Sequence, residues 1–205
     1  MLATRYKAIF NRTIEPVAAG LVKLGVPPSG LTIAGLMLVL ASCAFLLLTK
    51  RLLAFCVLAV LANGCDMLDG AVARLSGRVT KFGGYLDAVF DRYEEAAVAL
   101  SVAVVTGYWV LISLVIVGAL IVSYTKARAA MEVSVSNTEW PDLMERMERG
   151  VLFIAGLAAS QLWPTVRPCG YDVFWWTLVV LAVLIHATAL QRIWRAKALI
   201  RARGS

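Results

Sequence analysis

Six apolar stretches, each near the roughly 20 residues that a helix needs to cross a bilayer core about 30 Å thick, set the terms for any fold this chain can adopt. Backbone polar groups in lipid must be satisfied within the segment itself, so each stretch is expected to be helical. Hydrophobic residues make up 60% of the chain and charged residues 16%, against roughly half and a quarter in soluble domains. A soluble globular fold is therefore not expected. The pattern predicts an all-α integral membrane protein, a single domain over residues 1–205. An interfacial amphipathic helix (1–26) would precede a six-helix bundle (29–195) and a basic cytoplasmic tail (196–205).

The N-terminal stretch is only moderately apolar, with Arg5, Lys7, Arg12, Glu15 and Lys23 spaced among Ile9, Phe10, Ile14, Val17, Leu21 and Val22, a pattern suited to the membrane interface. Without a short apolar core and a cleavage site, it is not expected to be a signal peptide. Pro27 and Pro28 end it, and Ser29 is placed to cap the next helix. Spans are then expected over residues 30–49, 52–74, 82–106, 109–130, 143–163 and 173–194. Gly107 and Tyr108 make one tight turn, residues 132–142 a polar connection, and residues 164–170 the last turn.

The chain carries 20 Lys and Arg against 13 Asp and Glu, a net charge of +7. The basic residues lie between and beside the apolar runs, which favours anionic headgroups and phosphate-bearing substrates over nucleic acid. With six spans, one side of the membrane holds only Lys50, Arg51 and Arg167, leaving 20 − 3 = 17 on the other. The positive-inside rule places both termini in the cytoplasm. Cys43, Cys56, Cys65 and Cys169 form no CxxC pair and are expected to be reduced packing residues.

The ends of the second and third spans carry the unusual chemistry. Asp66 and Asp69 are three residues apart, and Asp87 and Asp91 four apart, so each pair projects from one face of a helix. An ionised Asp at a helix centre in a membrane costs about 2.5–3.5 kcal/mol, so four together call for cations. Oxygen ligands alone suit Mg2+ or Mn2+, and four carboxylates balance two such ions. A two-metal site can grip a diphosphate and stabilise in-line displacement at phosphorus. Gly70 clears space for a phosphate, Ala73 keeps the next turn small, and Arg74 can donate paired hydrogen bonds to phosphate oxygens. Gly83, one turn before Asp87, leaves room for close packing or a ligand.

The string Asp66-x2-Asp69-Gly70-x2-Ala73-Arg74-x8-Gly83-x3-Asp87-x3-Asp91 resembles the full signature of the CDP-alcohol phosphotransferase family in every fixed residue and gap. The resemblance implies a reaction: an acceptor hydroxyl attacks the lipid-linked phosphorus of a CDP-activated lipid, CMP leaves, and a phosphodiester forms. It implies Asp66, Asp69 and Asp87 as metal ligands, with Asp91 as proton acceptor that also touches the second metal. A carboxylate beside two cations is a weak base, so Asp91 is expected mainly to orient the hydroxyl and take its proton late. Gly70, Arg74 and Thr80 resemble the CDP-contacting positions, and Thr32 a nucleotide-contacting position before the first span. Ser29 departs from the family's usual Asn or Asp. A homodimer is implied in the same way.

Cationic residues at the cytoplasmic ends of the last three spans (Lys126 and Arg128, Arg146 and Arg149, Arg192 and Arg195) suggest that the acceptor carries a phosphate. The strings Asp91-Arg92-Tyr93, Ser123-Tyr124-Thr125-Lys126-Ala127-Arg128-Ala129 and Glu145-Arg146-Met147-Glu148-Arg149 resemble the branch that uses inositol phosphate to make phosphatidylinositol phosphate or its archaeal ether counterpart. Glu94, Glu95 and Ala130 depart from that branch. Glycerol 3-phosphate is the competing acceptor, and the competing functions are a divalent-cation transporter and an Asp-rich prenyltransferase. Buried salt bridges from Arg74 and Arg92 are the structural alternative for the Asp set, and ordinary membrane anchoring the alternative for the basic pairs. Glu145 and Glu148 are expected to form salt bridges, His186 to be a packed or interfacial side chain, and Trp109, Trp175 and Trp176 to anchor at the interface. Gly118, Gly150 and Gly156 are expected to allow close helix packing.

Overall fold

The computed structural model describes residues 15–133 and 143–203, and the side chains of all of these except 65–67. Most of the expected interfacial segment (1–14), most of the polar connection (134–142) and the Cys65 side chain lie outside the described residues. The described residues are helical with no strand: α1 (15–23), α2 (Pro28–Thr49), α3 (Leu52–Leu75), α4 (Lys81–Thr106), α5 (Trp109–Glu132), α6 (Arg146–Leu162) and α7 (Val173–Arg203), with a 3-10 turn at Pro168–Gly170. Four of these, α2, α3, α5 and α7, are long and apolar enough to cross a membrane.

The expected six spans are thus supported for four, and the two shortfalls have plain causes. Charged residues run as far as Glu95 in α4 and leave only residues 96–106 uninterrupted. The 17 residues of α6 reach about 26 Å at 1.5 Å per residue, short of a full hydrocarbon core. Several boundaries also move. Proline is favoured at a helix's first position, so α2 begins at Pro28 with Pro27 as cap, and Ser29 lies inside the helix instead of capping it. Helix α6 begins at Arg146, three residues later than expected. Helix α7 runs on to Arg203, so residues 196–203 extend the last helix and do not form a separate tail.

The chain divides into two compact units, Met1–Val98 and Ala99–Ser205. In the first, α2 packs along α3 through Thr32, Gly35, Val39, Ser42, Cys43 and Leu46, a buried stripe at helical spacing. Ala18 on α1 is buried against Ala71 and Val72 on α3, with Leu21, Val22, Leu31 and Leu68 around them. Helices α1 and α3 end alike. Gly25 (φ +72°) and Gly77 (φ +66°) adopt the left-handed conformation, and paired bonds (Val26 N–H to Leu21 O with Gly25 N–H to Val22 O, and Arg78 N–H to Ala73 O with Gly77 N–H to Arg74 O) close two Schellman motifs. A cavity of about 320 Å3 lies beside both, lined by Val22, Gly25, Val26, Leu75, Ser76 and Arg78.

In the second unit, three contacts at successive levels show that α5 and α7 run parallel. Tyr108 Oη, just before α5, donates to Asp172 Oδ2 at 2.8 Å, just before α7. His186 Nε2 lies 3.2 Å from Leu114 O, and Arg192 Nη1 donates to Val122 O. Asp172 Oδ1 also accepts from Trp175 N–H at 2.8 Å, so one carboxylate caps α7 and holds the turn before α5. Burial and the bond to Asp172 raise the Tyr108 phenol from 10 to about 12, which keeps it a donor. Trp175 stacks on Tyr171, and Trp176 Nε1 donates to Pro168 O. Cys43, Cys56 and Cys169 form no disulfide among the described residues, and the first two are buried.

Two of the three glycines expected to permit close packing do so. A Cβ on Gly118 would stand 2.6 Å from Ile185 Cγ2, and one on Gly156 would collide with Thr177. Gly150 has nothing within 4 Å. Gly156→Ala is therefore expected to destabilise the protein by about 1–3 kcal/mol through overpacking. Gly150→Ala should be neutral or stabilising, by up to about 1 kcal/mol from helix propensity. Thermal unfolding of the two variants in detergent tests the contrast; equal behaviour contradicts it.

Candidate active site

The four aspartates sit on consecutive helices of the first unit, Asp66 and Asp69 on α3 and Asp87 and Asp91 on α4, joined by residues 76–80. At 1.5 Å per residue, Asp69 lies about 9 Å before the end of α3 and Asp87 about 9 Å after the start of α4. Asp66 and Asp91 lie about 14 and 15 Å from the same ends. The pairs are thus set at matched depths on either side of one short turn. The Asp66 side chain lies outside the described residues, while Asp69 is 6% exposed. At 3.6 residues per turn, Leu68, Ala71 and Val72 share the face of α3 that packs on α1, and positions 66, 69, 70 and 73 share the opposite face. Packing against α1 therefore leaves the signature positions on the other side of the helix.

The space beside two of the signature glycines is taken by polar side chains of their own segments. A Cβ on Gly70 would lie 3.3 Å from Arg74 Nη1, so the Arg74 guanidinium reaches back over Gly70. Arg74 makes no ion pair among the described residues. A Cβ on Gly83 would lie 3.0 Å from Thr80 Oγ1, which accepts the Gly83 N–H at 2.9 Å. Thr80, expected at the nucleotide, is thus the side-chain cap of α4. Thr32 is buried, its hydroxyl donating to Pro28 O at 3.2 Å. On α4, Arg92 Nη2 donates to Asp91 Oδ2 at 3.3 Å, and Arg92 Nη1 lies 3.8 Å from Glu95 Oε2. The Arg92 half of the salt-bridge alternative is present. Glu94 is 3% exposed on the same helix.

The donor set consists of carboxylate oxygens, the chemistry that a hard divalent cation requires. A buried carboxylate (Asp69) and a guanidinium laid over a glycine (Arg74 over Gly70) fit an ion and the phosphate beside it. The basic residues differ in burial and in partners. Arg149 is 4% exposed, with Nη1 donating to Met144 O at 3.3 Å, and Arg192 is 6% exposed, donating to Val122 O. Both help to hold backbone. Lys126, Arg146 and Arg195 are half-buried, and Arg128 pairs with Glu132 at 2.6 Å. Lys126 lies one turn beyond Val122 on α5 and Arg195 one turn beyond Arg192 on α7, so the Arg192 contact brings those two to the same end of the parallel pair.

Residues 26–187 match CDP-alcohol phosphatidyltransferase. The chain belongs to that family. An archaetidylinositol phosphate synthase from Pyrococcus horikoshii is 33% identical over 190 residues, covering 91% of this chain and 92% of the relative. The crystal structure of Mycobacterium tuberculosis phosphatidylinositol phosphate synthase with CDP-DAG bound is similar with a TM-score of 0.77 at 28% identity, over 90% of this chain and 94% of that one. The same enzyme in complex with manganese and citrate gives a TM-score of 0.77 at 28% identity, over 89% and 88%. All eight signature positions fall inside the stretch matched to the CDP-alcohol phosphatidyltransferase family, whereas Arg192 and Arg195 lie beyond it.

Sequence reasoning missed the device that starts α6. Glu145 and Glu148, expected in salt bridges, form a capping box: the Glu145 side chain accepts the Glu148 N–H, and Glu148 Oε2 accepts the Glu145 N–H at 2.9 Å. Glu-x-x-Glu before an apolar run was the signal, as a variant of the usual Ser/Thr-x-x-Glu box. Glu148→Ala is expected to lower stability by about 1 kcal/mol, and Glu148→Gln, which can still accept the Glu145 N–H, to restore most of it. Thermal unfolding measures both; a salt-bridge role would leave Gln as damaging as Ala.

Proposed function

We propose that this chain is a membrane phospholipid synthase that transfers a phosphatidyl-type group from a CDP-activated lipid to a hydroxyl of inositol phosphate, releasing CMP. The observation that carries this is the complete signature of its family, arranged on α3 and α4 at matched depths about one turn, with Asp69 buried and Arg74 laid over Gly70. The relatives are synthases of archaetidylinositol phosphate and phosphatidylinositol phosphate. They support inositol phosphate over glycerol 3-phosphate, and phosphoryl chemistry over cation transport. The proposed topology is one membrane domain of six spans, with α4 and α6 completing the four long apolar helices. Helix α1 lies at the interface, and the acidic helix ends face the cytoplasm. The assembly is a homodimer.

Asp66, Asp69, Asp87 and Asp91 would hold two Mg2+ or Mn2+ ions, which when bound supply Lewis-acid neutralisation of the diphosphate. Arg74 donates to phosphate oxygens, and with Gly70 lacking a side chain the CDP moiety can approach the α3 backbone. Thr32 and Thr80 keep hydroxyl lone pairs for the nucleotide, and Thr80 holds the α4 start rigid. Asp91 orients the acceptor hydroxyl and takes its proton. Arg92, bonded to one Asp91 oxygen, restricts rotation of that carboxylate. Lys126, Arg146 and Arg195 bind the acceptor's phosphate, while Arg149 and Arg192 support that site from their bonds to backbone carbonyls.

Purified protein supplied with CDP-diacylglycerol or its ether analogue should release CMP with inositol phosphate. Release should be far slower with glycerol 3-phosphate, inositol or serine, and should be lost on chelation of divalent cations. Cation flux without CMP release for any acceptor contradicts the assignment. Asp91→Asn should lower kcat by about 10²–10⁴-fold, the range for loss of a positioned base, with CDP-lipid binding retained. Equal loss of binding and turnover would remove its separate role.

A further inference from the structure

Helix α7 is an apolar membrane-spanning helix that carries an unexplained polar stripe. Thr188, Gln191 and Arg195 are spaced three and four apart and so share one side of it. Thr188 is fully buried, its hydroxyl donating to Leu184 O at 2.7 Å. Gln191 Oε1 is buried and has no hydrogen-bond partner among the described residues. Native proteins pair nearly all such atoms with protein, water or ligand, and polar side chains within membrane spans mark functional sites. Gln191 lies outside the signature and beyond the family match, which ends at residue 187, and the contacts to α5 described above are made by its neighbours Ile185, His186 and Arg192.

The stripe has a chemical direction. At its cytoplasm-proximal end stands Arg195, a guanidinium suited to phosphate. One turn earlier comes an amide that accepts a hydrogen bond or, turned over, donates one. A further turn back is a hydroxyl whose donor is spent on Leu184 O and whose oxygen can still accept. A ligand anionic at one end and rich in hydroxyls along its body matches this order. Arg192, fixed to Val122 O beside Gln191, holds this part of α7 against α5. We infer that Gln191 reads a ring hydroxyl of a phosphorylated polyol acceptor, with Thr188 behind it, and so selects the polyol body while the cations select its phosphate. This rests on the acceptor assignment made above.

The test uses the full-length enzyme in vesicles with CDP-diacylglycerol, titrated with inositol phosphate, with inorganic phosphate as a competing ligand that has the anion but no polyol. Gln191→Leu should raise KM for inositol phosphate roughly five- to tenfold, the size of one lost neutral hydrogen bond. The inhibition constant of inorganic phosphate and the KM for CDP-lipid should stay within about twofold of their wild-type values. Arg195→Gln should raise both the inositol phosphate KM and the phosphate inhibition constant. Gln191→Met gives the same readout with an unbranched side chain if the Leu variant fails to fold. An unchanged KM for inositol phosphate overturns the inference, as does a parallel rise in the phosphate inhibition constant for the Gln191 variants. Wild-type enzyme that rejects inositol phosphate but uses another acceptor overturns the acceptor assignment, and this inference with it.

Discussion

The cost of placing carboxylates on helices built for a membrane organises this protein. A centrally buried Asp costs about 2.5–3.5 kcal/mol on insertion scales, and residues 66–95 carry Asp66, Asp69, Asp87, Asp91, Glu94 and Glu95. That cost explains why the acids gather toward the turn that joins α3 to α4 and why α4 fails as an uninterrupted apolar span. It also explains the arginine bonded to Asp91. Asp69 and Glu94 are nearly inaccessible, and burial of a carboxylate is tolerable only where it is paired or hydrogen-bonded; among the described residues, which leave out the Asp66 side chain, no three acidic, Cys or His side chains converge on one point.

The means of holding α3 lie behind and below its aspartates. Ala71 and Val72 bury against Ala18, with Leu68 beside them, so α1 grips one face of the helix while positions 66, 69, 70 and 73 keep the other. Small residues matter here: Ala18 and Ala71 let the backbones approach where Leu would hold them apart. The Schellman motif at Gly77 stops the helix just after Arg74, and the Thr80 cap starts the next one three residues later. Both ends of the turn are fixed by local hydrogen bonds, so the depth of each Asp pair follows from residue count.

What was legible in the sequence follows the same division. Helix periodicity, the apolar runs and the signature gave the all-helical architecture, most boundaries and the family, because each rests on local chemistry repeated over many residues. The carboxylates stood out in the sequence because an apolar helix has little other use for them, although Arg92 pairs with one of them. Cap chemistry was harder. Thr80 looked like a ligand contact and is an N-cap, Glu145 and Glu148 looked like ion-pair partners and form a capping box, and Ser29 looked like a cap and is not one because Pro28 already occupies the first helical position. Long-range bonds such as Tyr108 to Asp172 left no trace in spacing. Gly150 could not be told from Gly156 without knowing which glycine faced Thr177.

The basic pairs show how one spacing can put two side chains in different surroundings. Arg146 and Arg149 are three apart, as are Arg192 and Arg195, and anchoring at a headgroup layer would leave all four guanidiniums snorkelling toward water. Instead one member of each pair is nearly inaccessible and donates to a backbone carbonyl, Met144 O for Arg149 and Val122 O for Arg192, while the other remains half-buried. Burying a guanidinium among apolar helices is unfavourable unless its donors are satisfied, so anchoring alone does not account for Arg149 and Arg192. A spacing of three turns the second side chain about 60° from the first around the helix, enough for one arginine to fix the helix and its neighbour to present a charge from a fixed place. Such an arrangement suits the proposed recognition of a phosphate, because a cation on a long, mobile side chain gains charge attraction but loses directional hydrogen-bond geometry.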